Sequence, residues 1–406
     1  MILSSRVKES QTSITLKVSE KVIAMAQSGK HVYNMTSGQL NMKPPSEFIL
    51  HIGKQLNFLK SYQYSPISGM GVLREKFLSH FETTRGMDLS KLEEPFDCVI
   101  SNGSKHSLYN VFGALINPGD EVILLTPYWV SYPEMIKYWG GVPVVVKSHA
   151  FDAYTPSIAE IEKAIGHKTK AIIINSPNNP AGIHYDDQWM SEFAAFLKEH
   201  EDLIAISDEL YCDLSYFDPA PTYFYQKDPS ILKQTVIINS ISKSFASTGL
   251  RIGYAIGDAK LTKAIAKIQS QTTSGPNSLI QRALIDFDFV RLENYLNPIK
   301  EQLRESAQFL REAFRKKNLP HCYYQTTSAF YYLLDFSRMP IYERFKDEEN
   351  SDKSQEIVDD ILESTGVALV PGTTFGYPNS ARMSLTLEQV PFEEAITKLM
   401  DYIARK

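Results

Sequence analysis

Lys243 lies among residues whose types suit covalent chemistry beside a phosphate group. It occurs in Asn-Ser-Ile-Ser-Lys-Ser-Phe (239–245), and Arg251 follows in Gly-Leu-Arg-Ile-Gly (249–253). A lysine amine forms Schiff bases once desolvation or a neighbouring cation lowers its pKa. Taken alone, the segment also fits two other interpretations. One is a solvated surface lysine, and the other is the Ser-x-x-Lys signature of acyl-enzymes, here Ser240 to Lys243.

Asp208 and Tyr211 follow an apolar run typical of a buried strand, in Ser-Asp-Glu-Leu-Tyr (207–211). A carboxylate at the end of a buried strand is costly unless a cation pairs with it. A protonated pyridine nitrogen would be such a cation, and Tyr211 could reach the same ring. The alternative is a helix N-cap, for which aspartate is a favoured residue.

Three further segments place polar or aromatic residues directly after apolar runs. Ser-Asn-Gly-Ser-Lys-His (101–106) precedes an apolar helix and predicts an anion site at the helix start, or else an ordinary cap. The aromatic residues of Thr-Pro-Tyr-Trp-Val (126–130) either stack on a flat ligand ring or pack in the core. Asn-Ser-Pro-Asn-Asn-Pro-Ala-Gly (175–182) is a turn sequence, and one of its amides could donate to a phenolate oxygen.

Short β-branched runs alternate with helical patterns such as Asp187–Glu199 through the middle of the chain. Such runs indicate strands buried on both faces of a mostly parallel sheet. We therefore predict an α/β fold with helices on both faces of the sheet, in which ligands bind beyond the carboxyl ends of the strands. The runs are 98–100, 122–125, 142–146, 171–174, 203–206, 235–238 and 254–256.

The pattern of the sequence changes after about residue 290. We predict a large domain over residues 46–290. A smaller α+β domain would combine residues 1–45, as an N-terminal arm, with residues 291–406. Its predicted elements are a charged helix (292–318), a polar loop (342–352), strands (329–334, 367–370 and 382–387) and a final helix from Phe392.

The composition is ordinary for a globular protein, with 43% hydrophobic and 22% charged residues among 406. The net charge of −5 argues against nucleic acid as a partner. The three cysteines are far apart, so neither a disulfide framework nor a zinc site is expected. We see no signal-peptide core and no apolar run of ~18 residues, and we expect a cytoplasmic protein without metal or membrane contacts.

Together, the motifs provide an anion cradle, an aromatic face, an amide donor, a carboxylate and a lysine. Pyridoxal 5'-phosphate needs such contacts on every side, and we therefore expect it as the cofactor. The acyl-enzyme interpretation weakens, because the companion motifs Ser-Asp-Asn and Lys-Thr-Gly do not occur and Ser207-Asp208 is followed by Glu209.

The sequence resembles the class I/II aminotransferases, which are pyridoxal-phosphate enzymes of fold type I, and in particular the bacterial aspartate aminotransferase subgroup. The resemblance covers nearly the whole chain, and its motifs occur in the family's order. The segments that carry it are 36–38, 64–69, 103–106, 127–134, 176–182, 207–211, 240–253, 371–375 and Arg382.

The resemblance implies a role around the cofactor ring for five residues. Lys243 matches the Schiff-base lysine, which also shuttles a proton between the substrate Cα and C4′ of the cofactor. Asp208 matches the carboxylate that keeps the pyridine nitrogen protonated. Asn179 and Tyr211 match donors to the ring oxygen O3′, and Trp129 matches the aromatic residue stacked on the ring.

The resemblance also implies where the phosphate binds. Ser104, Lys105, Ser240 and Arg251 match the phosphate-binding positions of the family. Tyr64 matches a tyrosine that reaches the phosphate of the neighbouring subunit, which implies a homodimer with a shared active site.

For the substrate, the resemblance assigns Arg382 to a bidentate clamp on the α-carboxylate, helped by the backbone N–H of Gly38. Lys105, assisted by Thr15, matches residues that meet the side-chain carboxylate of a dicarboxylic substrate. The alternative for Lys105 is a solvated cation. The substrate-binding residues implied in this way are Gly38, Trp129, Asn179, Arg382, Lys105 and Thr15.

The resemblance therefore predicts a ping-pong aminotransferase that uses aspartate or glutamate with a 2-oxo acid. Two departures from the family pattern put the side-chain specificity in doubt. They are Gly38-Gln39-Leu40, where Gly-Glu-Pro is frequent, and Ser328-Ala329-Phe330-Tyr331, where Gly-Ala-Phe-Tyr is common. The alternatives are an aminotransferase for aromatic, prephenate-like or other amino acids, and a pyridoxal-phosphate-dependent lyase on the same fold.

Overall fold

The computed structural model describes residues 3–9, 14–347 and 351–405. Its α-helices are α1 (Ser5–Glu9), α2 (Ile14–Gln27), α3 (Ser46–Gln55), α4 (Gly71–Arg85), α5 (Ser104–Leu115), α6 (Tyr132–Tyr138), α7 (Ile158–Ala164), α8 (Asp187–Glu199), α9 (Phe224–Lys227), α10 (Ile241–Ser244), α11 (Ala259–Ser270), α12 (Ser278–Asp286), α13 (Leu292–Lys316), α14 (Ser354–Thr365) and α15 (Gln389–Ile403). Its strands are β1 (Tyr33–Asn34), β2 (Phe96–Ser101), β3 (Glu121–Leu125), β4 (Val142–Val146), β5 (Thr169–Asn175), β6 (Ile204–Asp208), β7 (Thr235–Ser240), β8 (Gly253–Asp258), β9 (Tyr331–Asp335), β10 (Val367–Ala368), β11 (Val370–Pro371) and β12 (Ser380–Ser384).

Seven of these strands form the central sheet, in the order β2-β8-β7-β6-β5-β3-β4. The pairs from β7 through β4 are parallel, whereas β8 is antiparallel to both of its neighbours. Each of the seven predicted apolar runs falls on one of these strands. The predicted α/β fold with a mostly parallel sheet is therefore confirmed.

Successive residues of the central strands pack into different hydrophobic clusters. In β3, Val122 and Leu124 share a cluster with Phe112 of α5, whereas Ile123 belongs to a cluster that includes Phe193 of α8. Because successive side chains of a strand point to opposite faces, helices cover both faces of the sheet. This packing explains why the strands are apolar at almost every position.

The carboxyl ends of β5, β6 and β7 bring polar residues together. Asn175 at the end of β5 pairs with Asp208 at the end of β6, and Asp208 also pairs with β7. Strand β7 continues to Ser240, where the short helix α10 with Lys243 begins. The antiparallel strand β8 places Gly253 beside Ser240. The sheet thus brings Asp208, Ser240 and Lys243 together at one edge.

A smaller antiparallel sheet, in the order β11-β12-β9, carries Arg382. This residue lies in the middle strand and pairs with Leu333 on one side and Val370 on the other. Strand β1 pairs in parallel with β10, which precedes β11 in the chain. The second sheet therefore fixes Arg382 from both sides.

Several element bounds in this region differ from the predicted ones. Strand β9 begins at Tyr331 instead of residue 329, because Ala329 has a φ of +57°, which lies outside the β region. The predicted strand 367–370 is divided into β10 and β11, which pair in different sheets. The predicted strand 382–387 spans 380–384, and α13 ends at Lys316 instead of residue 318.

The domain boundaries at residues 45 and 290 stay a prediction. No helix of the described ranges has both the length and the apolar character needed to cross a membrane. The same ranges contain no group of three or more side chains arranged to hold a metal ion.

Candidate active site

Lys243 lies in α10, directly beyond the carboxyl end of β7. Its Nζ donates a hydrogen bond to the carbonyl oxygen of Gly38 and lies 5.7 Å from the ring centres of both Tyr211 and Phe330. Burial, with the nearby Arg382 cation, lowers the pKa of Lys243 to about 7. A large share of this amine is therefore uncharged at neutral pH, as a nucleophilic amine requires.

Asp208 is buried at the end of β6 and accepts a hydrogen bond from the hydroxyl of Tyr132. Burial raises the pKa of this carboxyl to about 6, although the Tyr132 hydroxyl acts in the opposite direction. A buried carboxylate of this kind is stabilised by a cation placed against it. Sequence reasoning did not assign a role to Tyr132, although it lies within the 127–134 motif.

Tyr211, Asn179 and Arg382 form one buried hydrogen-bonded chain. The side-chain amide of Asn179 donates to the Tyr211 hydroxyl (3.4 Å), and its oxygen accepts from Nη1 of Arg382 (3.1 Å). The Tyr211 hydroxyl donates in turn to that of Tyr331 (3.3 Å). The chain connects Asn179 and Tyr211, which follow strands of the large sheet, to Arg382 of the smaller one.

Arg382 is 4% exposed and presents a planar cation between two aromatic rings. Its guanidinium carbon lies 4.4 Å from the ring centre of Tyr331 and 5.1 Å from that of Phe375. Nη2 donates to the backbone oxygen of Thr36 (3.0 Å), whereas Nε is buried without a hydrogen-bond partner among the described residues. An unsatisfied buried donor on a fixed guanidinium suits a carboxylate ligand.

An anion cradle lies where β2 meets α5. Gly103 precedes the helix with a φ of +86°, and a Cβ on it would overlap the guanidinium of Arg251. A Cβ on Gly253 would overlap the backbone nitrogen of Ser104. Arg251 donates to the carbonyl oxygen of Asn102 (3.3 Å). The glycines thus let a guanidinium and a helix N-terminus approach each other closely, which is suited to a phosphate.

Ser240 and Lys105 flank the cradle. The Ser240 hydroxyl accepts from the backbone N–H of Ser242 (3.1 Å) and caps α10. The Nζ of Lys105 lies 4.9 Å from the ring centre of Trp129, and burial together with Arg251 lowers the pKa of Lys105. Both Lys105 and Arg251 also line a cleft of about 590 Å³ that opens between α5 and α6.

Three predicted residues do not make their predicted contacts among the described residues. Tyr64 is 95% exposed. Gly38 contacts Lys243 through its carbonyl oxygen, whereas the prediction used its N–H. Thr15 falls in the first turn of α2, and its side chain lies outside the described part of the structure. The roles of the individual site residues stay predictions.

The comparisons with known proteins agree on one family. The family model for class I and II aminotransferases matches residues 30–399. The aspartate aminotransferase of Geobacillus stearothermophilus is 32% identical over 408 residues, which cover 98% of each chain. The aspartate/prephenate aminotransferase of Thermus thermophilus is 32% identical, and the match covers 99% of this chain and 98% of that one.

A solved structure gives the same result. Thermus thermophilus aspartate aminotransferase with maleate superposes on this fold with a TM-score of 0.87 at 32% identity, covering 100% of this chain and 99% of the other. The family match spans most of the chain, and relatives above 30% identity span almost all of it. The chain therefore belongs to the class I and II aminotransferases and is an enzyme that transfers amino groups.

Proposed function

We propose that this protein is a pyridoxal-phosphate-dependent aminotransferase that moves an amino group between aspartate or glutamate and a 2-oxo acid in two half-reactions. The observation that carries the proposal is the buried lysine amine of Lys243, whose pKa is about 7, between the carboxylate of Asp208 and the guanidinium of Arg382. A cytoplasmic location is part of the same proposal and stays a prediction.

The residues present fit the cofactor. The cradle formed by Gly103, Ser104 and Arg251 suits its phosphate, since side chains larger than hydrogen are excluded there. Asp208 would pair with the protonated ring nitrogen and so gain the cation that its burial requires. Trp129 offers an aromatic face beside Lys105. When bound, the cofactor supplies a reactive carbonyl carbon and an electron-accepting ring.

Side chains of the protein bind the substrate and transfer the proton. Arg382 orients the substrate by its α-carboxylate, because its Nε has no other partner among the described residues. Lys243 would take the proton from the substrate Cα as a base and deliver it as an acid to C4′ of the cofactor, which a pKa of about 7 allows in both directions. Tyr211 and Asn179 hold hydrogen bonds next to this amine.

Lys105 supports a dicarboxylic substrate. Its amine lies over the Trp129 ring and shares the 590 Å³ cleft with Arg251, so a second carboxylate in this cleft would meet positive charge. The related Thermus enzyme was solved with maleate, a four-carbon dicarboxylate. A second candidate substrate class is prephenate-like oxo acids, which the name of the Thermus relative favours.

We also propose a homodimer whose active sites are shared. The segment from α3 to the start of α4 exposes several large apolar side chains, which include Leu50, Leu59, Tyr62 and Tyr64. Clusters of exposed apolar residues mark interaction surfaces. Tyr64 lies in this apolar segment, which supports a contact between Tyr64 and the partner's phosphate site.

A panel of amino donors tests the substrate assignment. Purified protein with pyridoxal phosphate is given each amino acid and 2-oxoglutarate or oxaloacetate in turn, and the new oxo acid is measured. We expect aspartate and glutamate to give the highest kcat/KM, and Lys243→Ala to abolish both the visible cofactor band and turnover. An unchanged band in that variant would contradict the role of Lys243. A preference for aromatic donors, or for prephenate when it replaces 2-oxoglutarate as the acceptor, would favour the second candidate.

A further inference from the structure

Directly after Asp208, a second carboxylate is buried in an ion pair. Glu209 has no exposed side-chain surface, and its Oε2 accepts from Nη2 (2.7 Å) and Nε (3.3 Å) of Arg85. Arg85 lies in the last turn of α4 and is itself nearly buried. The pair therefore links a surface helix to the strand end that carries Asp208.

The other Glu209 oxygen is also saturated. Oε1 accepts from the hydroxyl of Tyr225 (2.7 Å) and from that of Ser207 (2.8 Å). The Arg85 guanidinium lies 4.4 Å from the ring centre of Tyr223, and the amide of Gln226 donates to the Arg85 carbonyl oxygen (2.8 Å). Even with all its partners in place, a buried ion pair yields little net stability compared with apolar side chains. Stability alone therefore does not explain why an ion pair occurs at this position.

The explanation lies in what Glu209 connects. Its backbone N–H donates to the carbonyl oxygen of Ile238 (2.9 Å), which lies in β7 shortly before Lys243. The Asp208 side chain contacts Tyr132 of α6, whereas the Glu209 side chain contacts α4 and the region around α9. The contacts of the Glu209 side chain therefore hold in place the backbone hydrogen bond that connects the end of β6, with Asp208, to β7, which leads to Lys243.

We propose that Arg85 and Glu209 are positioning residues for Asp208. The pair holds the Asp208 carboxylate in place relative to Lys243, and Arg85 neutralises the Glu209 carboxylate beside it. This inference rests on the proposed function, since it assigns Asp208 to the ring nitrogen of pyridoxal phosphate. Glu209 and Arg85 do not touch the reacting atoms, and they act through Asp208.

The electrostatic part follows from the proximity of two carboxylates. An unpaired anion at Glu209 disfavours the ionised form of Asp208, which the ring nitrogen requires. Arg85 supplies the compensating charge. The titratable groups around Asp208 are Tyr132, Tyr211 and Lys243. Those around Arg85 and Glu209 are Tyr223, Tyr225, Tyr254, Cys212, Asp213 and His80.

The test compares Arg85→Met, Glu209→Gln and the double variant. The matched control is Arg74→Met, which removes another arginine of α4 whose ion pair with Asp97 lies on β2, away from Asp208. Three quantities are measured in each: the dissociation constant of pyridoxal phosphate, the pH midpoint of its visible band when bound, and the melting temperature without cofactor.

We expect Arg85→Met to weaken cofactor binding by about tenfold, which is the effect of a change of about one unit in the pKa of Asp208. The pH midpoint of the visible band should shift as well. Neutralising both partners in the double variant should recover most of this loss. Arg74→Met should lower the melting temperature alone. A folded Arg85→Met protein with the cofactor affinity and midpoint of the Arg74→Met control overturns the proposal.

If Arg85→Met does not fold, Tyr225→Phe decides. It removes one hydroxyl from Glu209 and retains every charge, so the proposal predicts a shifted pH midpoint and a lower kcat with KM unchanged. Wild-type values for both would overturn it. A wild-type protein that binds no pyridoxal phosphate would instead refute the proposed function, so the two failures are distinguishable.

Discussion

The charge state of Lys243 depends on three charged neighbours that the fold brings close to it. The amine lies near two cations, Arg382 and Arg251, and near one anion, Asp208. Burial and the two cations disfavour the ammonium form, whereas Asp208 favours it. The resulting pKa of about 7 lets the same group accept and return a proton near neutral pH.

The lowered pKa of Lys243 predicts unusual reactivity without any cofactor. Since the uncharged amine is the nucleophile, its acylation by trace acetic anhydride should rise with pH and reach half its maximum near pH 7. Ordinary lysines titrate near pH 10.4. In Arg382→Met the midpoint should move upward, because a cation that lowers the pKa is removed. Mass spectrometry of the Lys243 peptide measures the pH midpoint of acylation. A wild-type midpoint equal to that of an ordinary lysine would contradict the lowered pKa of Lys243.

Replacing Arg382 should affect substrate binding far more than cofactor binding. In Arg382→Ala we expect the affinity for amino and oxo acids to fall by about 3 kcal/mol, because a charged hydrogen-bond partner is lost. Arg382→Lys should recover little, since an ammonium lacks the bidentate fork. Spectroscopic titration of the bound cofactor with substrate gives the dissociation constants. Near-normal substrate affinity in both variants would refute the assignment of Arg382.

The residue types at the site were predictable, but several of their contacts were not. Lys243 and Asp208 lie at the ends of predicted strands, and the parallel-sheet rule places them at one edge, whereas Arg251 precedes the antiparallel β8. The contact between Tyr132 and Asp208 joins residues 76 positions apart. The chain from Arg382 through Asn179 to Tyr211 spans two sheets. Such contacts depend on how the elements pack, which the local sequence does not encode.

At the scale of elements, β8 brings the anion cradle together. As the antiparallel strand between β2 and β7, it places Gly253 next to Ser101 and Ser240, while Arg251 precedes it in the left-handed region at a φ of +55°. The apolar runs predicted all seven strands. They carried no information on the reversed direction of β8, because a strand buried on both faces has the same composition in either direction.

The cradle predicts a selective effect of Gly103→Ala. The added Cβ would overlap the Arg251 guanidinium and would also occupy a φ of +86°, so we expect cofactor affinity to fall at least tenfold. Gly119→Ala is the matched control, because Gly119 has a φ of +91° and open space around its Cβ position. It should lose only ~1 kcal/mol of stability. Equal cofactor affinities in the two variants would argue against the cradle.

For the whole molecule, a shared active site predicts complementation between two inactive variants. Lys243→Ala and Tyr64→Ala are mixed, unfolded and refolded together. If Tyr64 serves the partner, each mixed dimer contains one intact site, so about a quarter of all sites should recover. If Tyr64 serves its own subunit, no site is intact and activity stays absent. Each variant refolded alone is the control, and activity of the mixture measures the outcome.

The hydrogen-bonded chain between Arg382 and Tyr211 has a mechanical consequence. Most of the groups proposed to bind the cofactor lie at strand ends of the seven-stranded sheet, whereas Arg382, proposed to bind the substrate carboxylate, lies on the smaller sheet. A bound amino acid would therefore bridge the two sheets alongside the hydrogen bonds of 3.1 and 3.4 Å. We therefore expect substrate binding to restrict the relative motion of the two sheets at the site.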